Sequence, residues 1–190
     1  PFDLNRRGTV LGEGAAAVVL EDYQVAAKRG AAIYGELLGG AVVASTGPQM
    51  RADRQKGLQN AMTTALQRCQ LTPSAIGHVN AHGLGTQVCD REEAQAIHSV
   101  FSAAGRNIPV VAVKSYCGSL GAAGGLVEIC AGLLALKNNR LFRVLNYQTP
   151  DPDCPVHPVQ EEGVPPGDSF IKINVTPQGL ASAVIVRKAD

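Results

Sequence analysis

The chain has 190 residues, with 17 Lys and Arg against 16 Asp and Glu, and a formal net charge of +1. Such a length suits one domain, or one domain and part of another, and it permits a core without disulfides or metals. Four Phe, four Tyr, no Trp and no basic block exclude both a phosphate-tracking surface and a base-stacking platform, so nucleic acid is not an expected partner.

The longest weakly polar run, Gly121 to Leu136, is interrupted by Glu128 and falls short of a membrane span. No signal peptide stands at the start and the first residue is Pro1, so a processed end or a fragment is expected. The cysteines Cys69, Cys89, Cys117, Cys130 and Cys154 are widely spaced and form no Cys-x-x-Cys pair. A disulfide framework or zinc site is therefore not expected; a reducing cytoplasm is, with each thiol acting as a small buried hydrophobe.

In chain order, the β-branched run Thr9 to Leu20 reads as a buried strand, and Glu21 to Arg29 as a short helix closed by Gly30. Ala32 to Ala44 reads as a strand bent at its glycines. Leu58, Ala61, Met62, Ala65, Leu66 and Cys69 recur at helical spacing and predict an amphipathic helix, with Pro73 just beyond it. Gly77 to Ala81 is a short strand leading into His82-Gly83. Asp90 followed by Glu93 has the form of a capping box for a helix to about Ala103. Val110 to Val113 is a strand and Gly124 to Lys137 a buried helix. Six of the eleven prolines fall between Thr149 and Gly167, marking an irregular connection. Ser169 to Val175 and Ala181 to Arg187 close the chain as strands. Alternating strands and helices make an α/β layered fold.

Two glycine patterns invite a nucleotide reading. Gly12-Glu13-Gly14-Ala15-Ala16-Ala17 fits a dinucleotide fingerprint, but the stretch after it, Val18-Val19-Leu20, is strand-like where a helix is required. Gly118-x-x-Gly121-x-x-Gly124 lacks the Lys-Ser/Thr of a phosphate loop. Better candidates are His82, between a strand end and Gly83, and Lys114, at the end of a hydrophobic strand. Open α/β sheets place ligand-binding groups at such strand ends. Taken alone, a histidine so placed is more often merely hydrogen-bonded than catalytic, and a lysine more often a solvated strand end.

Jointly the motifs carry a resemblance. Pro1-Phe2-Asp3-x-Asn5-Arg6-x-Gly8, Gly12-Glu13-Gly14-Ala15 and Val19-Leu20-Glu21 resemble the middle of a β-ketoacyl-(acyl carrier protein) synthase. Asn80-Ala81-His82-Gly83-x-x-Thr86, with Asp90 and Glu93, is similar to that family's first histidine motif. Lys114-Ser115-x-x-Gly118 is similar to its second, and Asn146 with Pro150-Asp151 to the turn beyond it. The likeness spans nearly the whole chain in the family's order.

The resemblance implies a thiolase-like α/β fold of two similar halves, each a mixed sheet layered between helices. Residues 1–45 would end the N-terminal half and 46–190 would form the C-terminal half. It also implies a cysteine nucleophile in the absent half, acyl transfer to it, and decarboxylative condensation with malonyl-carrier protein in fatty-acid or polyketide assembly. None of the chain's own cysteines matches that nucleophile. The partners implied are acyl carrier protein, the N-terminal half and, at full length, a second copy; no metal or organic cofactor is implied.

Residue by residue, His82 would donate a hydrogen bond to the malonyl thioester carbonyl as it gains charge. Thr86 would contact the pantetheine arm, the loop's other family threonine being Leu84 here. Lys114 would set the field and orientation of the site, paired with Glu93, which could equally cap its helix. Two departures stand out. Ser119 occupies the position of the second histidine; a hydroxyl still donates but cannot switch charge near neutral pH. The glycine-rich loop is reduced to Asn174-Val175-Thr176-Pro177-Gln178-Gly179, with Val175 at the gating phenylalanine position and Gly179 retained. The reading is thus a β-ketoacyl synthase-like acyltransferase, the alternative being a non-condensing partner of the chain-length-factor type. Lys114-Ser115 argues against a thiolase acting on coenzyme A thioesters.

Overall fold

The computed structural model describes residues 1–102, 105 and 107–189. Six strands form one mixed sheet: β1 (Glu36–Ala44), β2 (His78–Asn80), β3 (Pro109–Val111), β4 (His157–Pro158), β5 (Ser169–Val175) and β6 (Leu180–Arg187). Their spatial order is β1-β6-β5-β2-β3-β4. The β1/β6 and β5/β6 ladders are antiparallel, whereas β5/β2, β2/β3 and β3/β4 are parallel. The layered α/β architecture expected from the sequence is therefore present. β1 lies on the 1–45 side of the expected division, yet it pairs with β6 and so shares the one sheet.

The helices are α1 (Tyr23–Lys28), α2 (Arg54–Arg68), α3 (Gln87–Phe101), α4 (Lys114–Cys117) and α5 (Gly124–Lys137). The apolar stripe of α2 packs on one face of the sheet: Leu58, Ala61, Met62 and Ala65 are fully buried with Ile97 of α3 and Ile171, Ile173 and Ile185 of the strands. α2 begins four residues before its first stripe residue because the Asp53 side chain accepts from the Lys56 amide and caps a polar first turn. On the other face, Leu136 of α5 packs on Phe170 and Val186. Gly132 permits this close approach, since a Cβ there would lie 2.6 Å from the Phe170 ring.

Several sequence expectations need correction. Thr9 to Leu20 is not a strand: it runs without a ladder, and its one β-bridge among the described residues is Leu11–Ser119. Val10, Leu11, Val19 and Leu20 stay exposed. β-propensity there is real, but a strand exists only with a neighbour to pair. The Gly12–Ala17 fingerprint accordingly opens no helix. Asp90 and Glu93 do not form the capping box, because Thr86 occupies the N-cap of α3 and both carboxylates lie inside the helix. Its expected end at Ala103 falls outside the described residues. β1 carries the expected bend as a register shift between Leu37 and Gly39. The chain from Thr149 to Gly167 is irregular apart from the two-residue β4.

All five cysteines are free; Cys154 is buried and Cys117 exposed, so the buried-hydrophobe expectation fails for Cys117. No helix among the described residues is long and apolar enough to cross a membrane.

His78 on β2 is fully buried and stacked on Phe170, ring centroids 5.2 Å apart. Its Nδ1 lies 2.9 Å from the Pro166 carbonyl oxygen, which can only accept, so Nδ1 carries the proton. Burial holds the ring's pKa down at about 4, against a weaker upward pull from the Pro166 bond. An unfolded imidazole takes its proton near pH 6.5, about 2.5 pH units before the folded one does. The ring's contribution to stability is therefore fully present above about pH 6.5 and lost as pH falls toward 4. We expect Tm to be level from about pH 7 to 8 and to fall below about 6.5, and His78→Phe to lessen that slope without abolishing it, since the His82 ring is held down to about 4 as well. An unaltered slope in His78→Phe would remove this ring as its cause.

Candidate active site

The loop after β2 carries His82. The Ala81 amide still donates to Val111 of β3 at 2.9 Å, and then the chain leaves the sheet through Gly83 (φ 54°) and Gly85 (φ 86°). At both glycines an added Cβ would collide with neighbours, with Ala112 at 2.8 Å and the Gly8 carbonyl at 2.7 Å. Two carboxylates three residues apart on α3 hold this loop by its backbone. Glu93 Oε1 accepts from the His82 amide at 2.6 Å and Oε2 from the Gly83 amide at 2.8 Å. Asp90 Oδ1 accepts from the Gly85 amide at 2.9 Å, while Oδ2 accepts from Phe2 at 2.9 Å and lies 3.2 Å from Arg6 Nε. Arg6 also reaches Asp151, at 2.5 Å, and the carbonyls of Asp3 and Gln87. Burial raises the Glu93 carboxyl, as does the neighbouring Asp90 charge.

Lys114 is not paired with Glu93, which its loop amides already occupy. Its Nζ donates to Glu128 Oε1 at 2.5 Å and to the His82 carbonyl at 2.7 Å. The second Glu128 oxygen lies 2.6 Å from Lys172 Nζ. Lys172 in turn donates to the Ala81 carbonyl at 3.0 Å and the Ile173 carbonyl at 2.5 Å. The Glu128 backbone carbonyl accepts from Asn80 Nδ2 at 2.5 Å. Burial alone would raise the Glu128 carboxyl, but Lys172 and Lys114 outweigh it and hold it below the usual value. Lys172 is pulled the other way by burial, its pKa falling despite Glu128.

The His82 ring is half-buried, with Nδ1 3.1 Å from the Asn174 side-chain oxygen and 3.4 Å from Lys114 Nζ. An ammonium can only donate, whereas an amide offers either end according to its rotation. One arrangement satisfies both neighbours: the lone pair on Nδ1 and the proton on Nε2. Burial, then Lys114 and Lys172, depress the ring's pKa to about 4. At neutral pH His82 is thus an uncharged imidazole whose Nε2–H is left for a ligand. A neutral N–H of this kind stabilises a developing oxyanion without surrendering a full proton.

The other sequence candidates are placed differently. Thr86 stands at the N-cap position of α3 without a side-chain capping bond, and its hydroxyl has no partner among the described residues. Ser119 follows Gly118 (φ 71°); its amide donates to Val10 at 2.7 Å and its carbonyl accepts from Gly12 at 3.0 Å. The Ser119 hydroxyl likewise lacks a partner among the described residues. Val175 is buried in the α2-side core, on the sheet face opposite Asn174. Gly179 sits at the β5–β6 turn, where a Cβ would meet the Ser45 carbonyl at 2.8 Å and Ala52. Both therefore serve packing, and the β5 residue that reaches His82 is Asn174. Beside the site lies a cavity of about 620 Å³, walled by Arg6 to Val10, Gly83 to Gly85, Lys114 to Gly118 and Asn146.

Residues 34–148 match the family model described as beta-ketoacyl synthase, C-terminal domain. The chain belongs to the β-ketoacyl synthase family. It is 36% identical to a granaticin polyketide putative beta-ketoacyl synthase 1 of Streptomyces violaceoruber, over all of this chain and 46% of that protein. To a 3-oxoacyl-[acyl-carrier-protein] synthase 2 of Staphylococcus aureus it is 33% identical, over 99% of this chain and 47% of the other. Among solved structures it is similar to a ketosynthase bound to a hexaketide in complex with a type II polyketide acyl-carrier protein. There the TM-score is 0.92 at 32% identity, covering all of this chain and 47% of that one. The chain spans about half the length of the curated relatives it matches. The expected ketosynthase resemblance and thiolase-like fold are therefore correct.

Sequence reading gave no site role to Glu128 or Lys172, and named Asn174, Asp90 and Arg6 only as motif residues without the contacts they make here. For two of them a signal existed. Glu128 is a lone carboxylate in the apolar run of α5, and Lys172 a lone cation within Phe170-Ile171-Lys172-Ile173. A charge in a buried element must find an opposite charge, so the two were candidates for each other. Glu128→Gln, which leaves two buried ammonium groups facing a neutral amide, should cost about 3–5 kcal/mol in denaturant unfolding. Adding Lys172→Met should restore a measurable part of that loss. No recovery in the double variant would separate the Lys172–Glu128 pair energetically.

Proposed function

We propose that the chain is the C-terminal part of a β-ketoacyl synthase that condenses acyl and malonyl thioesters carried by acyl carrier protein. The site is completed by a nucleophilic cysteine from the preceding half, and the full-length enzyme is a homodimer in the cytoplasm. Residues 1–45 would end that preceding half; within them, the segment before residue 34 makes no ladder of its own here and lies outside the matched residues 34–148. Pathway assignment follows the relatives, to polyketide or fatty-acid assembly.

The observation that carries this reading is a neutral His82 backed by Lys114 and Glu128 beside a cavity of about 620 Å³. An acyl group first occupies the cysteine as a thioester. Malonyl-carrier protein then loses CO₂, and the released electron pair forms an enolate whose oxygen accepts a hydrogen bond from His82 Nε2–H. The enolate carbon attacks the acyl carbonyl, and the cysteine thiolate leaves. Thr86 lies one residue beyond the cavity-lining Gly85, in reach of a carrier arm entering by that loop. Lys114 takes no proton in this scheme; it holds the His82 carbonyl and faces Nδ1.

Ser119 favours a second reading, a synthase-like partner without condensing activity. A hydroxyl in place of a second imidazole forfeits one oxyanion donor of the usual kind, a loss on the order of 10²–10³ in rate. The discriminating experiment supplies full-length protein with an acyl primer and malonyl-carrier protein and follows extension by mass spectrometry. We expect slow extension by the native protein and a gain of at least about tenfold in Ser119→His. Extension by neither protein would favour the non-condensing partner.

A further inference from the structure

Lys172 has no part in the condensation scheme above, yet it is among the most enclosed charges of the chain, 2% exposed in the middle of β5. Placing an ammonium between Ile171 and Ile173 is costly unless its three protons are taken. They are: by the carbonyls of Ala81, of its own neighbour Ile173 and, at 3.4 Å, of Asn80, while Glu128 Oε2 pairs with its charge at 2.6 Å. Two of these connections lead to His82. The Ala81 carbonyl closes the residue just before the histidine. Glu128 passes the interaction to Lys114, which holds the His82 carbonyl and faces Nδ1.

We propose that Lys172 is a positioning residue of the His82 site: by taking one oxygen of Glu128 it leaves Lys114 only partly neutralised and turned toward Nδ1, which keeps the imidazole neutral and its proton on Nε2. The charges that face His82 come from every element around it. Glu93 on α3 is engaged by the His82 and Gly83 amides, Lys114 projects from α4, Glu128 from α5, and Lys172 with the neutral Asn174 from β5. Two ammonium groups thus share one carboxylate beside the ring. Without Lys172, Glu128 would be free to close wholly on Lys114. One cation would be gone, and the pull of Lys114 on the Nδ1 lone pair would weaken. A merely structural Lys172, serving only to neutralise Glu128 in the core, would leave the ring's titration where it is.

The test is a pH titration of full-length protein labelled with ¹⁵N at histidine, comparing the native chain with Lys172→Met and Lys172→Gln. In the native protein the His82 resonances should report an Nε2–H tautomer that stays neutral to about pH 5, consistent with a midpoint of about 4. In the variants the midpoint should rise by about one pH unit or more, and the Nδ1–H form should become populated. His78, whose neighbours do not change, provides the reference and should not move. An unchanged midpoint and tautomer for His82 in a folded variant would overturn the proposal. Should both variants fail to fold, the ¹⁵N titration of native His82 decides: an Nε2–H ring that stays neutral to about pH 5 supports it, and an Nδ1–H ring or a midpoint near 6.5 overturns it.

The kinetic consequence rests on the condensation reading; the ring titration does not. In the extension assay Lys172→Met should lower kcat about tenfold with KM within about twofold of native. A native protein that fails to extend counts against condensation, while the titration still judges Lys172.

Discussion

One carboxylate, that of Glu128, sets the terms for the rest of this site. It is 1% exposed, in a helix otherwise built mainly of Gly, Ala, Leu, Ile and Val, and such a charge survives burial only if both oxygens are matched. Lys114 and Lys172 match them from α4 and β5, 2.5 and 2.6 Å away. The neighbouring helices α4 and α5 and the more distant strand β5 are thereby locked at one point, the point where β2 ends and the His82 loop begins. The packing beneath is arranged to allow it. Gly132 lets α5 settle on Phe170, and Gly125 leaves room for the Asn174 amide, which an added Cβ would approach to 2.9 Å.

The two sides of His82 are held by different means. On the α3 side, Glu93 and Asp90 grip the loop through backbone amides, so the path of residues 82–85 is fixed whatever the side chains do. On the α5 side, the Lys114–Glu128–Lys172 network addresses the ring and the backbone carbonyls of Ala81 and His82. Backbone fixation sets where the imidazole is, and the ion network sets which of its nitrogens bears the proton. A chain of buried ion pairs is stiff, because no member can leave without stranding another charge in the core. That stiffness suits a group that must meet a developing charge without rearranging.

The amino-terminal segment shows the opposite condition. Arg6 anchors it firmly to Asp90 and Asp151, and Asp3 accepts from the amides of Gln148 and Thr149, both at 2.7 Å. Beyond Gly8 the chain has strand-forming residues and almost no partner, so Val10, Leu11, Val19 and Leu20 face outward. The anchor brings residues 5–10 to the wall of the cavity beside Lys114, which ties this segment to the site even though it contributes nothing to the sheet.

Much of this protein was determined by its sequence alone. Helical spacing from Leu58 to Cys69, the apolar run of α5 and the alternating closing strands are local signals, and local signals specify local structure. His82 and Lys114 were legible because each stands at a strand end beside glycine or serine. What only tertiary structure decided is pairing. The sequence made Glu93 as plausible a partner for Lys114 as any, and Val175 and Gly179 as plausible in the site as Asn174. The choice fell to Glu128 because α5 packs on β5, and to Asn174 because alternate strand residues face opposite sides of the sheet. Whether Thr9 to Leu20 becomes a strand was beyond its sequence too, since a strand's hydrogen bonds belong to its neighbour as much as to itself.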